Sequence, residues 1–136
     1  LRIPSPVGVG MSAKTILSVF LQCARNGETI TLRGKGTRRQ NYVDVRDIAQ
    51  AVLKAIQALQ LSECYHIVAP QTVSNVELAK LCIQMSGSQS DIKFEGQDSS
   101  DGVDWCADGS LAEKELGFVP KYTLEDTIAW MQSEMK

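Results

Sequence analysis

At 136 residues the chain has the size of one domain with room for a real core. Hydrophobic residues make up 43% and charged residues 22%, which fits a globular chain, and a net charge of -2 lacks the basic excess of a nucleic-acid surface. No apolar run approaches the roughly 18–20 residues of a membrane span.

The start, Leu1-Arg2-Ile3-Pro4, reads as the end of a strand. It has no initiator Met and no signal-peptide core, so a processed chain or one cut from a longer protein is expected. Residues 6–10, with Pro6, Gly8 and Gly10, predict a loop. Ser12 is a candidate cap for a helix over 13–26, where Ile16, Phe20, Cys23 and Ala24 recur at helical spacing. Asn26-Gly27 ends it. Residues 28–33 alternate, with Ile30 and Leu32 on one face, and predict a strand.

Gly34 and Gly36 make a turn. Residues 41–45 form a second strand with Val43 and Val45 on one face. Asp44 is placed to cap the next helix, with Asp47 in its first turn, and Ile48, Val52, Ala55, Ile56 and Leu59 carry that helix to about residue 59. Residues 64–68 predict a short buried strand closed by Pro70. Ser74-Asn75-Val76-Glu77 is a capping box opening a helix to about residue 86. Ile92 and Phe94 suggest a strand, and the polar, acidic residues 95–104 a solvated, mobile loop. Asp108 is a candidate cap for a short helix ending at Gly117, and Thr123 for a last helix carrying Leu124, Ile128 and Met131. The order predicts an α/β fold of short strands with four or five helices, without repeats or an obvious linker.

The cysteines, Cys23, Cys64, Cys82 and Cys106, are scattered and form no C-x-x-C pair. They predict free thiols and a cytoplasmic protein. His66, the only histidine, has no ligand cluster for zinc and no nucleophile at recognisable spacing, so a structural role is expected. Asp98, Asp101 and Asp104 lack the spacing and the bidentate Glu of a calcium loop. Trp105 and Trp130 are expected to pack in the core or at an interface. Arg38 and Arg39, at the mouth of a strand, are the best candidate anion contacts, because a guanidinium fits phosphate in a bidentate way.

Three blocks carry a resemblance to a known family. Arg2-Ile3-Pro4-Ser5-Pro6-Val7-Gly8-Val9-Gly10 resembles R-x-x-N-x-Y-G-P-G. The segment from Gly34 to Val52 resembles G-D-G-x-x-x-R-D-F-V-x-V-x-D-x-A-x-A. Asp108 to Pro120 resembles D-x-S-K-A-x-x-E-L-G-F-x-P, and Ser74 falls where the family writes S-V-x-E-L. These belong to the NAD-dependent epimerases and dehydratases, the extended short-chain dehydrogenases/reductases that act mostly on nucleotide sugars.

The resemblance implies the C-terminal, substrate-binding portion of an extended Rossmann-type protein, with residues 1–136 as one domain and the N-terminal Rossmann half absent. The family's Gly-rich turn for NAD and its Tyr-x-x-x-Lys pair have no counterpart here. The implied parent uses NAD or NADP, while the chain alone would bind no cofactor and catalyse nothing. A nucleotide sugar, the missing half and a second copy docked through exposed sheet or helix surface are the implied partners. The alternative is a stand-alone binding or regulatory module.

The implied substrate contacts are Ser5, Val7 and Gly8 near the sugar and Arg38, Arg39 and Gln40 near its anionic group. Departures from the pattern are Ser5 for Asn, Val7 for Tyr and Gln40 for a diphosphate Arg. Asp98 replaces a second diphosphate Arg, and an acid there would repel a diphosphate.

Overall fold

The computed structural model describes residues 1–60 and 64–135. In chain order its elements are β1 (Ser5–Val7), α1 (Ile16–Asn26), β2 (Ile30–Arg33), β3 (Arg39–Gln40), β4 (Tyr42–Asp44), α2 (Val45–Gln57), β5 (Val73–Ser74), α3 (Asn75–Met85), β6 (Ile92–Glu95), α4 (Ser110–Leu116) and α5 (Leu124–Glu134). The short strands pair two by two. β1 and β4 are parallel with Ser5 opposite Tyr42, β2 and β6 are parallel with Ile30 opposite Ile92, and β3 and β5 are antiparallel with Arg39 opposite Ser74.

Local chemistry explains most boundaries. α1 stops at Gly27, which takes the left-handed conformation at φ 69°. Asp44 caps α2 by accepting the Arg46 amide at 2.7 Å. The Ser74–Glu77 box opens α3, and Thr123 with Asp126 forms a second box at α5. Other boundaries depart from expectation. Pro6 and Val7 lie in β1 rather than in a loop; proline is tolerated in a strand whose N–H side lacks a partner. The cap of α1 is Thr15, because Ser12 turns back on itself, its carbonyl accepting the Thr15 amide at 3.2 Å. Asp108 accepts the Ser110 amide at 2.9 Å, but the cap position of α4 is Gly109. Residues 64–68 form a single parallel bridge, His66 to Arg2, rather than a full strand.

Two cores flank the β1–β4 pair. Tyr42 and Val7 join the first, with Leu17, Phe20 and Leu21 of α1, Leu78 and Cys82 of α3, and Ile128 and Met131 of α5. Val43 joins the second, with Ala51 of α2, Tyr65, Ile67, Ala112 and Leu116 of α4, and Phe118. Successive strand residues project to opposite faces, so Tyr42 and Val43 serve different cores. A cation–aromatic stack ties α5 to α2: the Arg46 guanidinium lies 3.6 Å from the Tyr122 ring centre and 4.2 Å from that of Trp130.

Candidate substrate-binding site

The strand pair β3–β5 and its approaches gather most of the expected contacts. The turn before β3 is built around an acid from the 95–104 segment. Asp101 accepts the Lys35 amide at 2.7 Å and the Thr37 amide at 3.2 Å, and the Gly102 amide donates to the Thr37 hydroxyl at 3.0 Å. Gly34 makes this approach possible: its φ is 61°, and a Cβ there would stand 2.1 Å from Asp101 Oδ2. The segment expected to be a mobile loop is therefore pinned. The Arg39 amide also donates to the Val103 carbonyl at 2.8 Å, and the Trp105 amide to that of Arg39 at 3.2 Å.

The two arginines part company. Arg39 is spent inside the protein. Its Nε donates to Thr72 Oγ1 at 3.1 Å, its Nη2 to the Thr72 carbonyl at 2.6 Å, and its Nη1 pairs with Glu77 at 2.9 Å. Asp104 stands 3.9 Å from its Nε. Glu77 is held below the usual carboxylate range by the Ser74 backbone, then by the Ser74 hydroxyl and Arg39. Arg38 is half-buried, and its Nε is fully buried with no hydrogen-bond partner among the described residues.

Two titratable groups feel the Arg38 charge, Tyr42 and Asp98. Tyr42 donates its hydroxyl to Gln40 Oε1 at 3.1 Å. Burial pushes the Tyr42 phenol up to about 12, against the pull of the nearby Arg38 charge. Asp98 accepts the Ser100 amide at 2.9 Å and the Ser100 hydroxyl, and these bonds hold its carboxyl below the usual range, with a smaller contribution from Arg38. Ser5 stands opposite Tyr42 in the β1–β4 register. Val7 and Gly8 lie deeper. Val7 is 2% exposed, packs in the first core and is paired in the β1–β4 ladder, so it is closed to a direct ligand contact. A Cβ on Gly8 would stand 2.5 Å from Val45 Cγ2 and 3.2 Å from the Trp130 ring.

Sequence reasoning missed the segment at residues 69–71. Three cavities, of about 300, 350 and 640 Å³, share Ala69 and Pro70 as lining. Asn41 holds this segment: its Nδ2 donates to the carbonyls of Ala69 at 2.8 Å and Gln71 at 3.2 Å, and its Oδ1 accepts the Ala69 amide at 2.8 Å. A buried amide at the junction of β3 and β4 holds the segment, and its residue type alone was the one signal available. His66 sits on the bridge to Arg2, and no group of three His, Cys, Asp or Glu among the described residues is placed to hold a metal.

A sequence model of the NAD dependent epimerase/dehydratase family matches residues 1–69, half of the chain. The chain belongs to the NAD dependent epimerase/dehydratase family. Within the family it is 26% identical to the low-salt glycan biosynthesis protein Agl12 of Haloferax volcanii, over 82% of this chain and 36% of that protein. It is 27% identical to UDP-glucuronic acid decarboxylase 1 of Xenopus tropicalis, over 93% of this chain and 31% of that protein. The fold is shared with the UDP-glucose 4-epimerase of Thermotoga maritima, solved with UDP-glucose, at a TM-score of 0.88 and 20% identity, over 99% of this chain and 46% of that one. The chain thus spans about a third of the length of the curated relatives it matches, and it corresponds to part of a Rossmann-type family fold.

The family's Gly-rich dinucleotide turn has no counterpart in residues 1–136. No helix among the described residues is long and apolar enough to cross a membrane.

Proposed function

We propose that residues 1–136 are the substrate-binding domain of an NAD(P)-dependent, cytoplasmic enzyme acting on a sugar nucleotide, and that Arg38 contacts the ligand's anionic group. The observation that carries this is the contrast between neighbours. Arg39 is saturated by Thr72 and Glu77, whereas Arg38 has a buried donor with no partner among the described residues. A guanidinium not spent on internal pairing is available for a phosphate, which it meets with parallel N–H donors. Family membership and the nucleotide sugars named for several relatives support the substrate class.

Gln40 supplies a neutral polar contact two residues from Arg38 and Ser5 one on the sugar side, while Val7 and Gly8 are buried and shape the site from beneath. Asp98 sets a limit. Its carboxylate shares the neighbourhood of Arg38 and opposes a second negative charge, so the ligand's anion is held by fewer cations than in a two-arginine clamp. That favours a divergent sugar nucleotide or a ligand carrying less charge. NAD or NADP belongs to the remainder of the whole protein, and this domain alone orients substrate without transforming it.

The test is UDP binding to the full natural chain, measured by titration calorimetry. Arg38→Ala is expected to weaken binding about tenfold, a loss of roughly 1.4 kcal/mol. Arg39→Ala is expected to leave affinity near the wild-type value while lowering stability by roughly 1–2 kcal/mol, as its bonds to Thr72 and its half-exposed pair with Glu77 are lost. Undiminished UDP affinity in Arg38→Ala would remove the assignment.

A further inference from the structure

The parallel pair β2–β6 has an open side. Among the described residues β6 pairs with β2 alone. The register sets Ile30 opposite Ile92 and Leu32 opposite Phe94. At its two ends the Ile30 amide donates to the Asp91 carbonyl at 2.8 Å and the Gly34 amide to the Glu95 carbonyl at 3.1 Å. Residues 91, 93 and 95 therefore turn their main-chain groups toward β2. Those of Ile92 and Phe94 point outward, and they have no partner among the described residues. The side chains leave this edge accessible. Phe94 is 51% exposed, although it shares a face with buried Leu32. Lys93 and Glu95 lie on the opposite face with side chains 64% and 52% exposed.

An open strand edge is commonly guarded by lysine, whose charge repels a second copy. Here the guard is of mixed sign: Lys93 and Glu95 lie two residues apart and pair with each other at 2.6 Å. A strand with that pattern matches itself when reversed. In an antiparallel pair, outward-facing residues hydrogen-bond with outward-facing residues. With Phe94 opposite Phe94 of a second copy, each Lys93 stands opposite a Glu95. Sliding the pairing either way sets Lys93 against Lys93 or Glu95 against Glu95. Opposite charges across a strand pair stabilise it and like charges destabilise it, so one register is selected. The outer edge of β2 carries no such pattern, because Ile30–Arg33 holds a single charge.

We infer that the outer edge of β6 binds a second copy of this chain, antiparallel about Phe94, and joins two β2–β6 pairs into one sheet. The Phe94 amide and carbonyl exchange hydrogen bonds with those of the second Phe94. The two rings meet on one face, and Lys93 and Glu95 of both copies form a charge cluster on the other. The patch is small, so the contact is weak and reversible. Nothing in this pairing depends on Arg38 or its ligand.

The test follows amide exchange at Phe94 in the full natural chain, labelled with nitrogen-15 phenylalanine, against protein concentration. Raising the concentration from about 10 μM to about 1 mM is expected to slow this exchange about threefold in wild type by mass action. Lys93→Glu and Glu95→Lys each set like charges opposite one another, and each is expected to reduce the slowing to less than about 1.5-fold. Combining Lys93→Glu with Glu95→Lys restores the match and is expected to restore the wild-type slowing. All of these positions are exposed, so the variants fold. Wild-type exchange independent of concentration, whether fast or slow throughout, overturns the inference. So does a combined variant that behaves like the single ones, or a single variant that slows as wild type does.

Discussion

The Asp44 carboxylate accepts four hydrogen bonds. It takes the Arg46 amide at 2.7 Å, Arg46 Nε at 2.9 Å and Nη2 at 2.7 Å, and the Thr127 hydroxyl at 2.6 Å. Burial alone would raise its pKa. The bonds from Arg46 and Thr127 outweigh burial, and the net shift is downward from 3.8. A carboxyl depressed in the folded state stabilises the fold above its unfolded pKa, and that contribution is lost as pH falls through the folded value. Wild-type stability is therefore expected to decline on acidification below about pH 4, and the decline in Asp44→Asn to be shallower. At neutral pH the substitution is expected to cost about 2 kcal/mol, since it weakens charge-assisted bonds between a buried carboxylate and the partly exposed Arg46. Urea unfolding across pH measures both. An acid limb in Asp44→Asn as steep as that of wild type would show that Asp44 does not contribute to it. Asp47 works differently, since it accepts the Lys121 amide at 3.0 Å and the Tyr122 amide at 3.1 Å and ties α2 to the approach of α5.

Among the elements, the turn ahead of β3 depends on an acid far away in sequence. Asp101 closes it through Lys35 and Thr37, and the Lys35 amide bond is the first cause of its lowered pKa. Asp101→Ala is expected to release residues 98–104, with faster amide exchange there and at residues 35–37, while the helices keep their protection. Exchange unchanged in both segments would mean the loop is held by the Val103 and Trp105 main-chain bonds alone. This turn also shows where legibility ends. The glycines, the alternation of β2 and the Ser74 box were readable because each depends on neighbours within four residues, whereas β4 is buried on both faces and Val45, expected in that strand, opens α2. The two-residue strands β3 and β5 carry too few positions to show a period. The fate of Arg39 was hidden for another reason. Its partners Thr72, Glu77 and Asp104 lie 33 to 65 positions away, and nothing in the string Thr37-Arg38-Arg39-Gln40 separates the spent arginine from its neighbour. Pro6 misled because proline usually marks a loop, whereas here it sits in β1.

For the molecule as a whole, the unbalanced feature is α2. Ala51 of this helix is fully buried in the second core, yet Leu53 is 50% exposed and Ile56 74% exposed, with Val52 at 40% beside them. Leu53 and Ile56 are three residues apart and Val52 and Ile56 four, so the side chains form one stripe. The strands are unbalanced too. β1 and β4 make a two-stranded parallel pair, an arrangement found almost entirely within larger sheets covered on both faces, and the edge strands carry unpaired main-chain groups. Apolar stripe and open edge together favour association. The 136-residue chain is expected to sediment as a concentration-dependent mixture in analytical ultracentrifugation, and Leu53→Glu combined with Ile56→Lys to shift it toward monomer without loss of helix content. The charged pair sits on solvated positions of α2, three apart, where it adds no strain to the helix. A single monomer species across concentrations would show that the stripe is tolerated in water. Association untouched by the double substitution would move the contact from α2 to the strand edges.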